Sequence, residues 1–450
     1  MKLKLLQSIV LGLGILLTLI SCTYALGTAA NDTPRAAATP PSARQGENLK
    51  PANNGQNAIF AHHIKTVTLY PAEAPLSPPY ISLGSEGSLE LRFDDLEGGY
   101  QNYAFRLTHC DPWWEPSELL PSEYIQGFHE ISITEVEQSF NSMQPYTHYL
   151  AYWPNNFSAP IISGNFLLSV YDEDDPERIL IQRRLVVFEQ LIRFQPDVKA
   201  SSIVAERRFK QEVDFTIVTG AYTVFDPKRE LEVAILQNDR WDNAITDLKP
   251  VFMRGQELIY DFNAENNFDG LNEYRWVDLK SVRFAAMGTD SIRDKRDGWH
   301  YYLTPARRRT YEAYRTDEDI NGRFIIRNDE FESHTEAEYV HVHFYVPITT
   351  ELPGAALHVI GDFTDYRLTP DTRLKWNPKR KWYETTLLLK QGYYNYMFTV
   401  VTTDRLKGDI TAIEGNHQVA ENDYTIFAYH YQPQGFYRVI GVLATDSFNR

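Results

Sequence analysis

The chain carries only two cysteines in 450 residues, Cys22 and Cys110. A single pair of thiols excludes a disulfide-stapled scaffold, so stability must come from hydrophobic cores. Basic residues are in deficit too: 44 Lys and Arg stand against 60 Asp and Glu, for a formal net charge of −16. An acidic surface argues against nucleic acid and anionic lipid headgroups as partners. Catalytic and nucleotide motifs are missing. There is no Gly-x-Ser-x-Gly elbow, no Walker loop and no Gly-x-Gly-x-x-Gly behind a strand. His129-Glu130 runs on into Ile131-Ser132-Ile133, without the second His of a zinc-protease helix. No enzyme activity, cofactor or small-molecule substrate is therefore expected. Past the first 22 residues there is no long amphipathic helix and no βα alternation, which excludes a parallel α/β fold.

What is present begins with an export signal. Lys2 and Lys4 precede an uncharged run from Ile9 to Ile20. That run is shorter than the roughly 20 apolar residues a membrane span needs, and it reads as a signal peptide. Leu19-Ile20-Ser21-Cys22 has the form of a bacterial lipobox, which would place a diacylglyceryl group on Cys22. The other reading is ordinary cleavage after Ala25 or Ala30, with Cys22 incidental. Thr23-Tyr24-Ala25 brings no acidic cluster after the Cys, as in lipoproteins left facing the periplasm. Loss of Lys2 and Lys4 leaves 42 basic against 60 acidic residues, a mature charge of −18. Residues 23–58 are rich in Ala, Pro, Asn and Thr and too poor in large apolar side chains to fold, so they read as a flexible tether. A coil of that length reaches roughly 30–36 Å.

From residue 64 short segments of alternating polarity are bounded by Pro, Gly, Asn and Asp. Strands are predicted at 66–70, 80–83, 89–93, 103–108, 146–153, 166–171 and 179–188. This density of short strands fits an immunoglobulin-like sandwich. Asp172-Glu173-Asp174-Asp175-Pro176 is predicted as a solvated hairpin tip. Further strands are expected at 213–219, 231–236, 258–260, 274–278 and 283–284, and then at 340–346, 357–360, 382–388, 394–400 and 424–430. Residues 293–297 and 307–309 read as loops or exposed edges. The fold class is all-β, with tandem immunoglobulin-like or early-set β-sandwiches. The expected division is signal 1–22, linker 23–58, and sandwiches at 59–190, 191–320 and 335–450.

Few residues carry recognisable chemistry. His341 and His343 lie two apart and would share a strand face, but no third ligand is apparent, so no metal site is expected. Asp94 and Asp95, as adjacent strand residues, face opposite sides and cannot converge on one site.

One segment is dense with unusual residues. It contains Phe93-Asp94-Asp95-Leu96, then Tyr103, then His109-Cys110-Asp111 with Trp114, then Tyr124 and Gly127-Phe128. Ser139-Phe140-Asn141, Tyr146-Thr147-His148-Tyr149, Pro154-Asn155 and Ser163-Gly164-Asn165 follow. Together they resemble the first domain of the plug protein of the type IX secretion system, a family of the Bacteroidota, over residues 64 to about 190. The resemblance implies a non-enzymatic periplasmic role: binding the outer-membrane translocon β-barrel and closing its periplasmic opening. With an acylated Cys22, outer-membrane lipid would be a second partner, and the protein would sit on the periplasmic face of the outer membrane. For each of these residues a scaffolding role is the first expectation. Trp114, Tyr124 and Phe128 would fill space under a loop, Tyr146, His148 and Trp153 would make the core and rim of one strand, and Cys110 would be buried and inert.

Residues 359–366, Trp382 and Gln391-Gly392-Tyr393-Tyr394-Asn395-Tyr396 resemble glycogen-binding modules of the early-set class, which stack sugars on two exposed Trp rings. Tyr366 falls where the first ring would be, no Trp follows Val401, and Trp376 lies elsewhere. This resemblance implies the alternative function, a carbohydrate-binding envelope lipoprotein using Tyr366, Trp376 and Trp382.

Overall fold

Alternation of apolar and polar residues, with β-branched and aromatic side chains at the inward positions, specifies strands nearly everywhere. The computed structural model describes residues 55–330, 334–403 and 405–447. Cys22, the lipobox and the tether up to residue 54 lie outside these. Among the described residues no helix is long and apolar enough to cross a membrane.

The first sandwich closes two sheets over one core. One sheet runs Ala58–Ile59, Asp175–Phe188, Gly164–Asp172, Tyr103–Cys110, Glu130–Ser132, with Tyr80–Ser82 added in parallel to Asp175–Phe188. The other runs Ile64–Pro71, Leu89–Asp95, Thr147–Trp153, Glu135–Gln138. Between them Phe93 stacks on Tyr149 at 4.9 Å, and Trp153, Phe105 and Phe166 complete the interior. Each such fully buried ring contributes about 1.5–3 kcal/mol. The seven strands predicted here all form, and 172–176 is the hairpin tip, with Asp172 facing Asp175. The tether is shorter than expected. Ala58 and Ile59 pair with Gln182 and Ile181, while the carbonyls of Gly55 and Gln56 accept from Arg184 and Gln182. Small and polar residues here dock through backbone groups, which composition does not reveal.

The boundaries expected at 191–320 and 335–450 are corrected by the sheets. The second sandwich packs Arg193–Ala200, Lys210–Val218, Glu257–Tyr260 and Phe252–Arg254 against a sheet ordered Arg240–Ile245, Leu231–Gln237, Asp423–Tyr431, Tyr437–Asp446. The strand predicted at 424–430 therefore belongs to the second sandwich, paired with Leu231–Gln237 and filling its core with Tyr424, Ile426 and Ala428. The third sandwich is the insertion between these halves. Its ten-stranded sheet runs from Arg275–Asp278 through Gly392–Thr402, Ala355–Ile360, Arg373–Asn377, Trp382–Lys390 and Tyr339–Pro347 to Gly298–Leu303 and Thr289–Lys295. Val340, Val342, Phe344, Leu357, Val359 and Phe398 form its core. Residues 293–297, expected as a loop or edge, lie in an edge hairpin, and 283–284 is not a strand.

Candidate interaction surfaces

The unusual residues of the first sandwich fall into three groups, and two of them face the neighbouring sandwiches. In the first group the register sets Asp94 opposite His148, and on the third sandwich Tyr339 opposite Lys390. The two pairs meet. Asp94 Oδ1 accepts from His148 Nδ1 at 2.6 Å, and Asp94 Oδ2 accepts from Tyr339 Oη and Lys390 Nζ, each at 2.7 Å. Arg92 donates to His148 Nε2 at 3.2 Å, which fixes the Nδ1–H tautomer. Lys390 Nζ lies 4.1 Å from the centre of the Tyr146 ring, and the Tyr146 hydroxyl donates to the carbonyls of His334 and Ala337. Asp94 and Lys390 are each 1% exposed. Burial pushes the Asp94 carboxyl up, but Lys390 and then His148 outweigh it and hold it below its ordinary value. Burial pulls Lys390 down. Asp95 points elsewhere as expected, accepting from the Tyr103 hydroxyl at 2.8 Å.

The second group faces the second sandwich. Cys110, Trp114, Leu167 and Val186 pack on Leu236, Phe427, Tyr429 and Val439. Asn165 ties the seam: its Nδ2 donates to the Asp111 carbonyl at 3.0 Å, and its Oδ1 accepts from Tyr429 Oη at 3.1 Å. Ser163 donates to Glu189 at 2.8 Å, and Glu189 pairs with Arg438. Trp114 meets Trp241 edge-on at 4.9 Å beneath the Arg184 guanidinium. Cys110 is buried and free, and burial followed by Asp111 pushes its thiol up to about 12, so it stays protonated and unreactive. Gly164 leaves room for His109, since a Cβ there would sit 2.2 Å from His109 Nε2.

Burial drives the His109 imidazole down to about 4 from its ordinary value near 6.5. Between those two values the unfolded chain binds a proton that the folded protein does not. Stability is therefore complete above pH 6.5 and declines as pH falls toward 4, by about 2 kcal/mol between pH 7 and pH 5 for this residue. Urea unfolding at both pH values should show a shallower decline for His109→Gln than for the wild type; equal slopes would remove His109 from the account.

The third group builds a ribbon of Ile125–Gly127 against Ser158–Pro160. Asn155 shapes its turn, with Oδ1 accepting from the amides of Phe157 and Ser158 at 2.9 and 3.0 Å and Nδ2 donating to the Tyr152 carbonyl. Pro154 precedes it. Gly127 takes φ +95°, and a Cβ there would lie 2.0 Å from the Phe157 carbonyl oxygen. The turn sets Phe128 and Phe157 side by side, ring centres 6.4 Å apart and each 65% exposed. Phe128 thus departs from the space-filling role expected of it, whereas Trp114 and Tyr124 are buried. Leu120 and Ile161, both exposed, flank the ribbon's base. The constrained turn thus presents two large apolar rings to water.

The three rings expected to serve sugar share no platform. Tyr366 lies at the junction of the sandwiches, with the Arg240 guanidinium 4.4 Å over its ring and its hydroxyl 3.3 Å from that of Tyr274. It borders a cavity of about 820 Å³ crossed by the Arg183–Asp365 and Arg323–Asp239 ion pairs. Trp376 packs on the core residue Tyr383 at 5.2 Å. Trp382 is the register partner of Asn377, so it lies on the opposite face of the sheet, against Tyr345. The sequence does not show which residues lie beside His341. His300 and Asp297 come from the adjacent hairpin and lie more than 40 positions away along the chain.

Comparison with known proteins accords with this geometry. Residues 64–189 match the Type 9 secretion system plug protein 1st domain. No curated protein matches the chain. The crystal structure of a hypothetical protein from Parabacteroides merdae is 31% identical, covering 87% of this chain and 99% of that one, with a TM-score of 0.83. The BSP domain of a biofilm associated protein is 8% identical over 90% of this chain and 61% of that one, with a TM-score of 0.18. The matched segment 64–189 contains all three groups, and by it the first sandwich belongs to the type 9 secretion system plug protein 1st domain family.

Proposed function

We propose that the protein is a non-enzymatic periplasmic accessory of type IX secretion that binds the outer-membrane translocon barrel and closes its periplasmic opening. The family match of the first sandwich carries this reading. A stopper needs a stiff body of fixed shape and an anchor on the rim. The buried locks at Asp94–Lys390 and Asn165–Tyr429 favour a stiff body, and the Phe128–Phe157 tip offers the anchor. Lipidation at Cys22 would hold the body near the membrane through the tether, raising its local concentration at the barrel.

Phe128→Ala/Phe157→Ala should weaken capture of the barrel from detergent-solubilised envelope by about 10- to 100-fold, as loss of aromatic anchors does. Its unfolding curve should stay that of the wild type, because both rings are exposed in the free protein. A strain lacking the protein should retain partial cargo secretion while admitting large antibiotics such as vancomycin. Absence of any barrel in the capture, together with unchanged permeability of that strain, would rule the stopper out.

A further inference from the structure

We propose that Asp297, His300 and His341 form a binding site for one divalent first-row transition ion, best suited to zinc, at the edge hairpin of the third sandwich. The backbone brings them together. Gly298–Leu303 pairs in parallel with Tyr339–Pro347, and the register sets His300 opposite His341, ring centres 4.5 Å apart. Asp297, in the turn before Gly298, places Oδ1 3.1 Å from His300 Nε2, and its backbone carbonyl lies 3.1 Å from His341 Nε2. One ligand atom from each of the three side chains lies within 4.8 Å of the other two. Two imidazoles and a carboxylate are the donor set of zinc with a fourth position left to water.

The layer behind is also in place. An imidazole that ligates through Nε2 keeps its proton on Nδ1 and needs an acceptor for it. His300 Nδ1 lies 2.8 Å from His343 Nε2, and His343 Nδ1 lies 2.8 Å from Thr386 Oγ1. His343 Nε2 is thus placed to accept that proton. Without an ion the same groups are satisfied in the reverse sense, Thr386 to His343 to His300 to Asp297. Ion binding then shifts each ring from the Nε2–H to the Nδ1–H tautomer and strips no proton from either. Arg293 and Lys295 lie over the Tyr302 ring, which stacks on His343 at 4.4 Å. These cations oppose a dication and weaken its binding.

The test is calorimetric titration of tag-free, chelator-stripped full-length protein with zinc chloride, paired with visible spectra of the cobalt-loaded form. One ion per chain is expected, with tetrahedral cobalt bands. Asp297→Asn and His341→Gln should each abolish saturable binding, while His343→Phe should weaken it about 10- to 100-fold. The Asp297 side chain is 66% exposed, so Asp297→Asn should keep the wild-type circular dichroism spectrum. No saturable binding to the wild type, or saturable binding that either ligand substitution leaves unchanged, overturns the site.

Discussion

Lys390→Ala is expected to destabilise the protein by about 3–5 kcal/mol. The Lys390 ammonium touches the Asp94 carboxylate at 2.7 Å, and both groups are sealed between the first and third sandwiches. Removing it leaves an anion in a dry seam with only the His148 and Tyr339 hydrogen bonds to hold it. The cost is the desolvation of an unpaired charge, which exceeds anything lost in packing. Asp94→Asn/Lys390→Met removes both charges at similar volume and should recover most of the loss, since a buried pair is often replaceable by neutral groups at little cost. Equilibrium unfolding in urea measures both. A loss below about 1 kcal/mol for Lys390→Ala would mean that water reaches Asp94 in the folded protein.

Ending the chain at Ala420 should unfold the second sandwich, which the sequence-based division would have left intact at 191–320. The removed residues include Asp423–Tyr431 and Tyr437–Asp446, two of the four strands of one sheet. Tyr424, Ile426, Ala428 and Ile440 leave the core, which exposes Val233, Ile235 and Phe215. A single large-to-small core change costs about 2–5 kcal/mol, and several together exceed the usual 5–15 kcal/mol stability of a domain. Residues 192–268 should become rapidly cleaved by protease, while the third sandwich, whose core lies within residues 277–413, stays resistant. A truncated chain that protects 192–268 would contradict the pairing of Leu231–Gln237 with Asp423–Tyr431.

The strands of the first sandwich were legible because sheet partners such as Leu89–Asp95 and Thr147–Trp153 carry clear polarity changes and turn residues at their ends. The order of the later strands was not. Asp423–Tyr431 is buried along nearly its whole length, so no polar face shows which sheet it joins, and its partner Leu231–Gln237 lies some 190 residues earlier. Individual residues behave likewise. That Asp94 and Asp95 diverge follows from strand geometry alone, but that Asp94 meets Lys390, 296 positions on, depends on how two sandwiches dock. Phe128 departs from the interior position usual for an apolar ring in a strand-rich segment because the Gly127 and Asn155 turn directs it outward. Spacing alone puts His341 and His343 on one face, whereas His300 and Asp297 reach them from a neighbouring strand and its turn.

The insertion of one sandwich inside another dictates an order of assembly. A chain that emerges N-terminus first can close the first sandwich as soon as Asp175–Phe188 is available. It then holds Leu231–Gln237 with one edge unpaired, its other edge taken by Arg240–Ile245, until residues beyond 422 arrive, by which time every strand of the inserted sandwich is already out. Throughout that interval Leu167 and Val186, which face Leu236, Phe427 and Val439 in the finished protein, remain uncovered along with the open edge of Leu231–Gln237. An exposed edge and an apolar face together invite pairing with other chains. The last strand to arrive, Tyr437–Asp446, supplies Val439, Ile440 and the Arg438 partner of Glu189. Synthesis of Tyr437–Asp446 thus completes the second sandwich and its seam with the first in one step, and a chain interrupted before it would carry a finished head on a body unable to close.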